Sequence, residues 1–328
     1  MPPSIPPARM PQPGELMFLL PEMILALWGV LVLVVDLTVL RRQPEATRRK
    51  LLGAMALTGS LVSGLACVLS MRAEYPVLGR TIPGLLGQYG MSFDLSIFAG
   101  TLSGDSSTVW LNLVLSLLLA LAVGVAMSGA FTDQVGEFYA LMLWSTVGMM
   151  VLAASEELLT LFLALETMTI CLYLLTAFEK SRRRSAEGGL KYFVYGSVAS
   201  ALFLFGLSLI YGLTGSTRLS AIRQALAFES GSVIQGLNAN AAGASAVVLL
   251  LTGFGFKIAA APFHQWAPEA YEGAPAAVGS WIGSGSKLAS FVALAKVLVL
   301  GLGVWSCPPG DISGPGWIGL IGVIAAIS

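Results

Sequence analysis

Long apolar segments, separated by short polar ones, dominate the pattern of this chain. Most of the nine apolar segments are about 20 residues long, the length that a helix needs to cross the hydrocarbon core of a bilayer. We expect membrane helices at 16–40, 51–71, 108–130, 138–155, 157–178, 189–212, 244–263, 275–301 and 316–328. The pattern therefore predicts an all-α fold, a polytopic transmembrane helix bundle.

Composition agrees with a membrane location and excludes other classes. The chain is 56% hydrophobic and 11% charged, with a mean hydropathy of +0.81. A net charge of zero argues against nucleic acid as a partner. Cys67, Cys171 and Cys307 lie far apart, so neither a metal cluster nor a disulfide framework is indicated. The expected surrounding is the lipid bilayer.

The two ends of the chain differ in character. Residues 1–15 form a Pro-rich lead, and the apolar run that follows is too long for the core of a cleaved signal peptide. We therefore expect a retained first helix. The last run, 316–328, stops at Ser328 without a polar exit, so we expect it to be the start of a ninth helix in a truncated chain.

Basic residues predict the orientation in the membrane. Nine of the 18 Lys and Arg residues lie between the first and second helices or between the fifth and sixth, two loops that must share a side. They are Arg41, Arg42, Arg48, Arg49, Lys50, Lys180, Arg182, Arg183 and Arg184. The opposite side has five, namely Arg9, Arg72, Arg80, Arg218 and Arg223. Because positive charge favours the cytoplasmic side, we expect the N-terminus outside.

A carboxyl group stands near the middle of the fifth predicted helix. Glu166 lies nine residues past Glu157, or about 13.5 Å along a helix. Thr169 and Tyr173 follow on the same face. A charge at this depth usually marks an ion or proton route. The alternative is a neutral carboxyl that only holds two helices together.

The seventh predicted helix contains a lysine next to a break signal. Lys257 precedes Pro262, which cannot donate to the carbonyl of Ile258. Broken helices at membrane depth recur at transporter sites. Gly253, Lys257 and His264 are spaced at i, i+4 and i+11, so we expect them close to one helix face. We expect an interruption between Lys257 and Pro262, and His264 is either a proton relay or an ordinary interfacial histidine.

Three further lysines fall on the predicted helices. Lys287 continues a polar stripe from Ser280 and Ser284 on the eighth helix, near its middle. Lys296 should face away from Lys287 and extend to the interface. Lys191 opens the sixth helix, where extension to the surface and a place in a proton path are both open.

Four runs resemble one family, the proton-translocating NADH-quinone oxidoreductases (respiratory complex I). They are LLPEMILALWGVLVLVVDL, ELLTLFLALETMTICLYLLTAF, EGGLKYFVYGSVASALFLFGLSLIYGLTGS and GFGFKIAAAPFHQWAPEAYEGAPAAVGSWIGSGSKLASF. In order and with whole-helix spacing, they are similar to the antiporter-like membrane subunit N. Subunits L and M and the multisubunit sodium/proton antiporters share the Glu and Lys positions, but the LKYF and APEAYEGAPA runs look more like subunit N.

The resemblance implies roles for individual residues. Glu166 matches the fifth-helix glutamate of the family, Lys257 the lysine of its broken seventh helix, and Lys287 its eighth-helix lysine. Lys191 and His264 match further polar positions along the central axis. Residues 16–130 would hold helices 1–3, and residues 138–301 would be one five-helix proton-translocation unit. The family's second, inverted unit with its twelfth-helix lysine is absent from this chain.

The resemblance also implies the function. The chain is expected to be a proton-translocating subunit of the bacterial inner membrane, in which movement of a Glu166–Lys257 ion pair drives protons toward Lys287. No cofactor is expected in this chain, because NADH, FMN, iron–sulfur clusters and quinone would bind to other subunits. Subunits of the M, K and J types are the expected partners. A cation/proton antiporter subunit and a purely structural membrane subunit remain as alternatives.

Overall fold

The computed structural model describes residues 18–74, 96–97, 101–129, 131–229, 237–306 and 316–328. Its helices are α1 (Leu20–Thr38), α2 (Glu45–Glu74), α3 (Ser106–Ser128), α4 (Val135–Ala154), α5 (Leu158–Thr176), α6 (Arg183–Thr214), α7 (Leu219–Glu229), α8 (Leu237–Ile258), α9 (Ala267–Gly273), α10 (Ala276–Gly301) and α11 (Trp317–Ile327). A two-stranded antiparallel hairpin pairs β1 (Ser96–Ile97) with β2 (Leu102–Ser103).

Eight of these helices are long and apolar enough to span a membrane, namely α1–α6, α8 and α10. Large apolar side chains such as Leu27 and Leu121 are more than 60% exposed on their outer faces, as expected where lipid replaces water. The prediction of an all-α polytopic bundle is therefore confirmed. The ninth predicted helix corresponds to α11, which is shorter.

Two of the connections between spans contain short elements. The helix α7 lies between α6 and α8, and the β1–β2 hairpin lies between α2 and α3. The Pro-rich lead 1–15 and Cys307 lie outside the described residues. The division into a lead, helices 1–3, a five-helix unit and a ninth helix stays a prediction.

The helix α4 links the spans that precede it in the chain to those that follow it. It packs against α1 on one side and against α5 on the other. Glycine permits the second contact, since a Cβ at Gly148 would lie 2.6 Å from the backbone nitrogen of Met168. The α4 face toward α1 is anchored by Trp144, whose Nε1 donates to the carbonyl of Ala26 at 3.2 Å. A continuous apolar core therefore runs from α1 to α10.

The eighth span, α10, is not a uniform α-helix. Two π-helical segments interrupt it, Ile282–Ser286 directly before Lys287 and Val297–Gly301 directly after Lys296. The residues between them form a regular α-helix. Nine residues at 3.6 per turn put Lys287 and Lys296 on opposite faces, as predicted.

Candidate functional site

The end of α8 positions Lys257. The helix stops at Ile258, one residue later, and Ala259 adopts a left-handed φ of 58°. The freed carbonyl of Phe256 accepts from the backbone N–H of Ala259 at 3.1 Å and from Trp266 Nε1 at 2.9 Å. The predicted interruption is therefore confirmed. It begins at Ala259, before the proline from which it was inferred.

Lys257 lies buried in the last turn of α8, with 3% of its surface exposed. Its Nζ donates a hydrogen bond to the Thr169 hydroxyl of α5. The ammonium also lies 5.5 Å from the ring centroid of Tyr173 and 6.0 Å from that of Tyr192. Aromatic faces attract a cation, but less strongly than a carboxylate does. The amine is thus held by one hydroxyl and aromatic rings.

Glu166 faces a different helix from the one expected. Its Oε1 accepts a hydrogen bond of 2.5 Å from the Ser200 hydroxyl of α6. Among the described side chains, Lys257 forms no ion pair with a carboxylate. The expected Glu166–Lys257 ion pair is therefore not formed. Glu166 is hydrogen-bonded to Ser200 instead, and Lys257 to Thr169.

Acidic residues of α9 meet the start of α6. Lys191 pairs with Glu187 at 2.9 Å and with Glu269 at 2.7 Å, and Arg184 pairs with Glu272. Because Glu269 follows the break in α8, these ion pairs fasten the segment after the break to α6. Lys191 is partly exposed and already paired, so its side chain belongs to this charged cluster and not to the environment of Lys257.

Lys287 lies on α10 directly after the π-helical segment Ile282–Ser286. Its Nζ stands 5.9 Å from the ring centroid of Tyr271 in α9. Burial raises the pKa of Tyr271, so its phenol stays neutral and its ring face remains available to the cation. Single π-turns inside α-helices are frequent at functional sites.

Two sequence expectations about side-chain direction are wrong. His264 does not share a helix face with Lys257, because α8 has ended, and its side chain is exposed. Lys296 does not extend to the interface, since its Nζ is buried and has no hydrogen-bond partner in the described part of the chain. Local helix geometry predicted both wrongly because a break and tertiary packing intervene.

Other polar residues of the site gave a weak signal or none in the sequence. Thr169 and Tyr173 were placed on the correct helix face, whereas Ser200 was not singled out. Ser200 belongs to the small-residue run GSVASA of α6, where serine commonly serves helix contact. Trp266 was also missed. Its ring stacks on Tyr192 with centroids 4.1 Å apart, and its Nε1 donates to the carbonyl of Phe256 beside the break.

The arrangement can hold and exchange a proton. A buried amine without a carboxylate partner is costly as a cation, so small changes in its surroundings decide whether it binds a proton. Glu166 lies on α5, three residues before the Thr169 that contacts Lys257. Its charge can therefore change the proton affinity of Lys257 through the electric field. Chemically, the site is a buried amine on α8 with a carboxyl group on the neighbouring helix α5.

Comparison with known proteins relates most of the chain to one group of membrane subunits. Residues 155–308 match the model of the family described as "NADH:quinone oxidoreductase/Mrp antiporter, TM". "NADH-quinone oxidoreductase subunit N 2" of Acidobacterium capsulatum is 37% identical over 94% of the chain and 58% of its own length. "F(420)H(2) dehydrogenase subunit N" of Methanosarcina mazei is 39% identical over 88% of the chain and 54% of its own length. The chain thus spans a little over half of these relatives.

Solved structures show the same fold. A chain of respiratory complex I from Thermus thermophilus superposes with a TM-score of 0.60 at 27% identity, over 87% of this chain and 56% of that one. A chain of the Mrp complex from Dietzia gives a TM-score of 0.62 at 20% identity, over 88% of this chain and 49% of that one. At that identity, the second match concerns the fold alone.

Proposed function

We propose that this chain, whose residues 155–308 match the family described as "NADH:quinone oxidoreductase/Mrp antiporter, TM", is a proton-translocating membrane subunit of an NADH-quinone oxidoreductase. The observation that supports this most is Lys257, buried in the last turn of an interrupted helix with a hydroxyl as its hydrogen-bond partner. A structural lysine would be expected to pair with a carboxylate, whereas an unpaired amine can gain and lose a proton.

In the proposed mechanism, Glu166 tunes the proton affinity of Lys257 without touching it. When the Ser200 hydroxyl donates to Glu166, it stabilises the carboxylate, whose field favours the protonated lysine. Loss of that contact would favour release toward Lys287. Moving one charge against 100 mV costs about 2.3 kcal/mol, comparable to a change of about two units in a pKa.

The remaining parts of the proposal concern the whole complex. Electron transfer from NADH to quinone, with FMN and iron–sulfur clusters, would take place in other subunits. The relatives named for NADH and for F420H2 are similar to the chain to the same degree, which fits a subunit that does not bind the electron donor. Membrane subunits of the M, K and J types would be its neighbours in the bacterial inner membrane, with the N-terminus outside. Lys191 and His264 are proposed as peripheral relay groups.

Pumping and electron transfer can be measured separately in one preparation. In inverted membrane vesicles containing the assembled enzyme, Lys257→Ala should lower NADH-driven acidification about 10²-fold, the range of a lost positioned proton carrier. Electron transfer to quinone in detergent should fall much less. Glu166→Gln should lower pumping only several-fold, because this residue tunes the lysine.

The matched control is Lys50→Ala, which removes an exposed lysine at the start of α2. It should leave both activities unchanged. Equal pumping by Lys257→Ala and the unmodified enzyme would refute the proposal. Acidification that requires sodium ions instead would favour a cation/proton antiporter subunit, and a complex that fails to assemble only in Lys257→Ala would favour a structural one.

A further inference from the structure

A second buried carboxyl group lies far from the Lys257 site. Glu22 is in the first turn of α1, near a helix end, where a charged side chain is usually solvated. It is 5% exposed. The helices α2 and α4 pack against α1, and α3 reaches Glu22 through Asn112. A carboxylate this deep in an apolar bundle is unstable without a positive partner. In the described part of the chain, Glu22 forms no ion pair.

The partner of Glu22 is an amide. Asn112 of α3, itself 3% exposed, donates from Nδ2 to Glu22 Oε1 at 2.6 Å. The two remaining oxygens, Glu22 Oε2 and Asn112 Oδ1, are buried and have no hydrogen-bond partner among the described residues. Both are acceptors if Glu22 is ionised. An ionised Glu22 would therefore leave two buried acceptor oxygens with no hydrogen to accept, and one added proton would satisfy both.

Neighbouring hydroxyl groups cannot supply that proton. The Ser63 hydroxyl of α2 donates to the carbonyl of Pro21 at 3.1 Å, and the Ser116 hydroxyl donates to the carbonyl of Asn112 at 2.9 Å. The two hydroxyl oxygens also lie 3.3 Å apart, where either can donate to the other. Because a hydroxyl has one hydrogen to donate, both hydrogens serve these contacts and not Glu22. The donor that fits is a proton on Glu22 itself.

We propose that Glu22 and Asn112 form a proton-binding site in which Glu22 is a neutral carboxylic acid. A carboxylic acid and a carboxamide are planar groups of the same shape, so they can exchange two hydrogen bonds. Asn112 Nδ2 donates to Glu22 Oε1, and the O–H of Glu22 donates to Asn112 Oδ1. The carboxylate takes one proton from a hydronium ion of the solvent, which becomes water, and no other covalent bond changes.

The conclusion does not depend on which way the amide is turned. Rotating it by half a turn would bring Asn112 Oδ1 against Glu22 Oε1 at the same 2.6 Å. Two acceptor oxygens at that distance also require a proton between them. In either orientation, one proton is bound by the pair.

The surroundings of the pair favour a proton over a metal cation. The titratable group that faces Glu22 from α2 is the Cys67 thiol, which is buried, and α3 contributes the neutral Asn112. On α4, Glu137 and Tyr139 lie at the helix start, which meets Asp36 at the other end of α1 and not Glu22. Among the described residues, no group of three or more His, Cys, Asp or Glu side chains could hold a metal ion. The Ser63 and Ser116 hydroxyls donate to carbonyls or to each other. The site is separate from Glu166 and Lys257 and does not rest on the function proposed for them.

Infrared spectroscopy of the protein in its native membrane tests this proposal, with glutamate labelled by ¹³C at the side-chain carboxyl. At neutral pH we expect the C=O stretching band of a protonated carboxylic acid. Glu22→Gln should remove it while preserving the hydrogen bonds, since an amide pairs with an amide. Glu137→Gln, which changes an exposed glutamate, should leave it in place.

If the Glu22→Gln protein does not fold or is not produced, a second variant tests the same proposal. Asn112→Leu removes the N–H donor to Oε1, so the glutamate C=O band should move to higher frequency. An unchanged frequency in that variant would overturn the proposal. So would a Glu22→Gln protein that retains the full band, or one that loses instead a carboxylate band sensitive to Na⁺ or K⁺, which would identify a cation site.

Discussion

Two lysines of the same chemical type have different surroundings at the residue scale. Lys257 is buried and donates to a hydroxyl, whereas Lys287 is partly exposed and meets the face of Tyr271. A ring face accepts either a lysine or an arginine, and arginine often stacks better. If Lys287 only holds α10 against α9, arginine should replace it.

Lys287→Arg therefore separates a structural charge from a proton carrier. A guanidinium keeps the charge but does not release a proton at accessible pH, so we expect normal assembly and about 10²-fold slower pumping. Proton uptake in inverted vesicles, normalised to assembled complex on native gels, measures both. Lys50→Arg is the control. Normal pumping by the assembled Lys287→Arg enzyme would identify Lys287 as a structural charge.

At the element scale, the approach of α4 to α5 depends on one missing side chain. A Cβ at Gly148 would meet the Met168 backbone at 2.6 and 2.9 Å, and backbone cannot move aside as a flexible side chain can. The site depends on this contact, because α5 supplies both Glu166 and Thr169. A shift of α5 would separate Thr169 from Lys257.

Gly148→Ala should therefore lower the stability of the protein. We expect a loss of about 1–3 kcal/mol from overpacking, seen as a lower midpoint of thermal unfolding in detergent. Gly124→Ala in α3 is the matched control, since nothing lies within 4 Å of its Cβ position. It should stabilise the helix by up to about 1 kcal/mol. Equal midpoints for the two variants would contradict the packing argument.

At the scale of the whole molecule, the basic loops meet at one end of the bundle. Arg49 donates to the carbonyl of Gly129 at 3.0 Å, and Lys180 donates to Gln134 Oε1 at 2.6 Å. Both acceptors belong to the connection between α3 and α4, so the loops after α1 and after α5 share a side, as predicted. At the opposite end, Thr217 donates to Glu157 at 2.8 Å.

Labelling of single cysteines tests the proposed orientation. In a chain whose three native cysteines are replaced by alanine, Gln43→Cys lies on the basic side and Ser220→Cys on the opposite side, and both positions are exposed. A thiol reagent that does not cross membranes should label Ser220→Cys in intact cells and Gln43→Cys only in inverted vesicles. The reverse pattern would place the N-terminus inside.

The sequence by itself determined the features that depend on local pattern. Eight spans could be predicted because a bilayer requires an apolar run of fixed length, and each predicted run overlaps its helix. The break after Lys257 was also predictable, since proline and small residues cluster there. It was also predictable that the two basic loops lie on the same side of the membrane, because an even number of spans separates them.

Tertiary structure alone decided which groups meet. Glu22 and Asn112 are 90 residues apart, and Lys257 and Thr169 are 88 apart, so no local pattern links them. Whether a polar side chain is solvated or buried depends on which helix covers it. This dependence explains the wrong predictions for Lys296 and for the Glu166–Lys257 ion pair. Apolar periodicity specifies that one face of a helix is buried, but it does not specify which helix covers that face. Several helices of the chain could do so, and close packing of side chains selects the one that does.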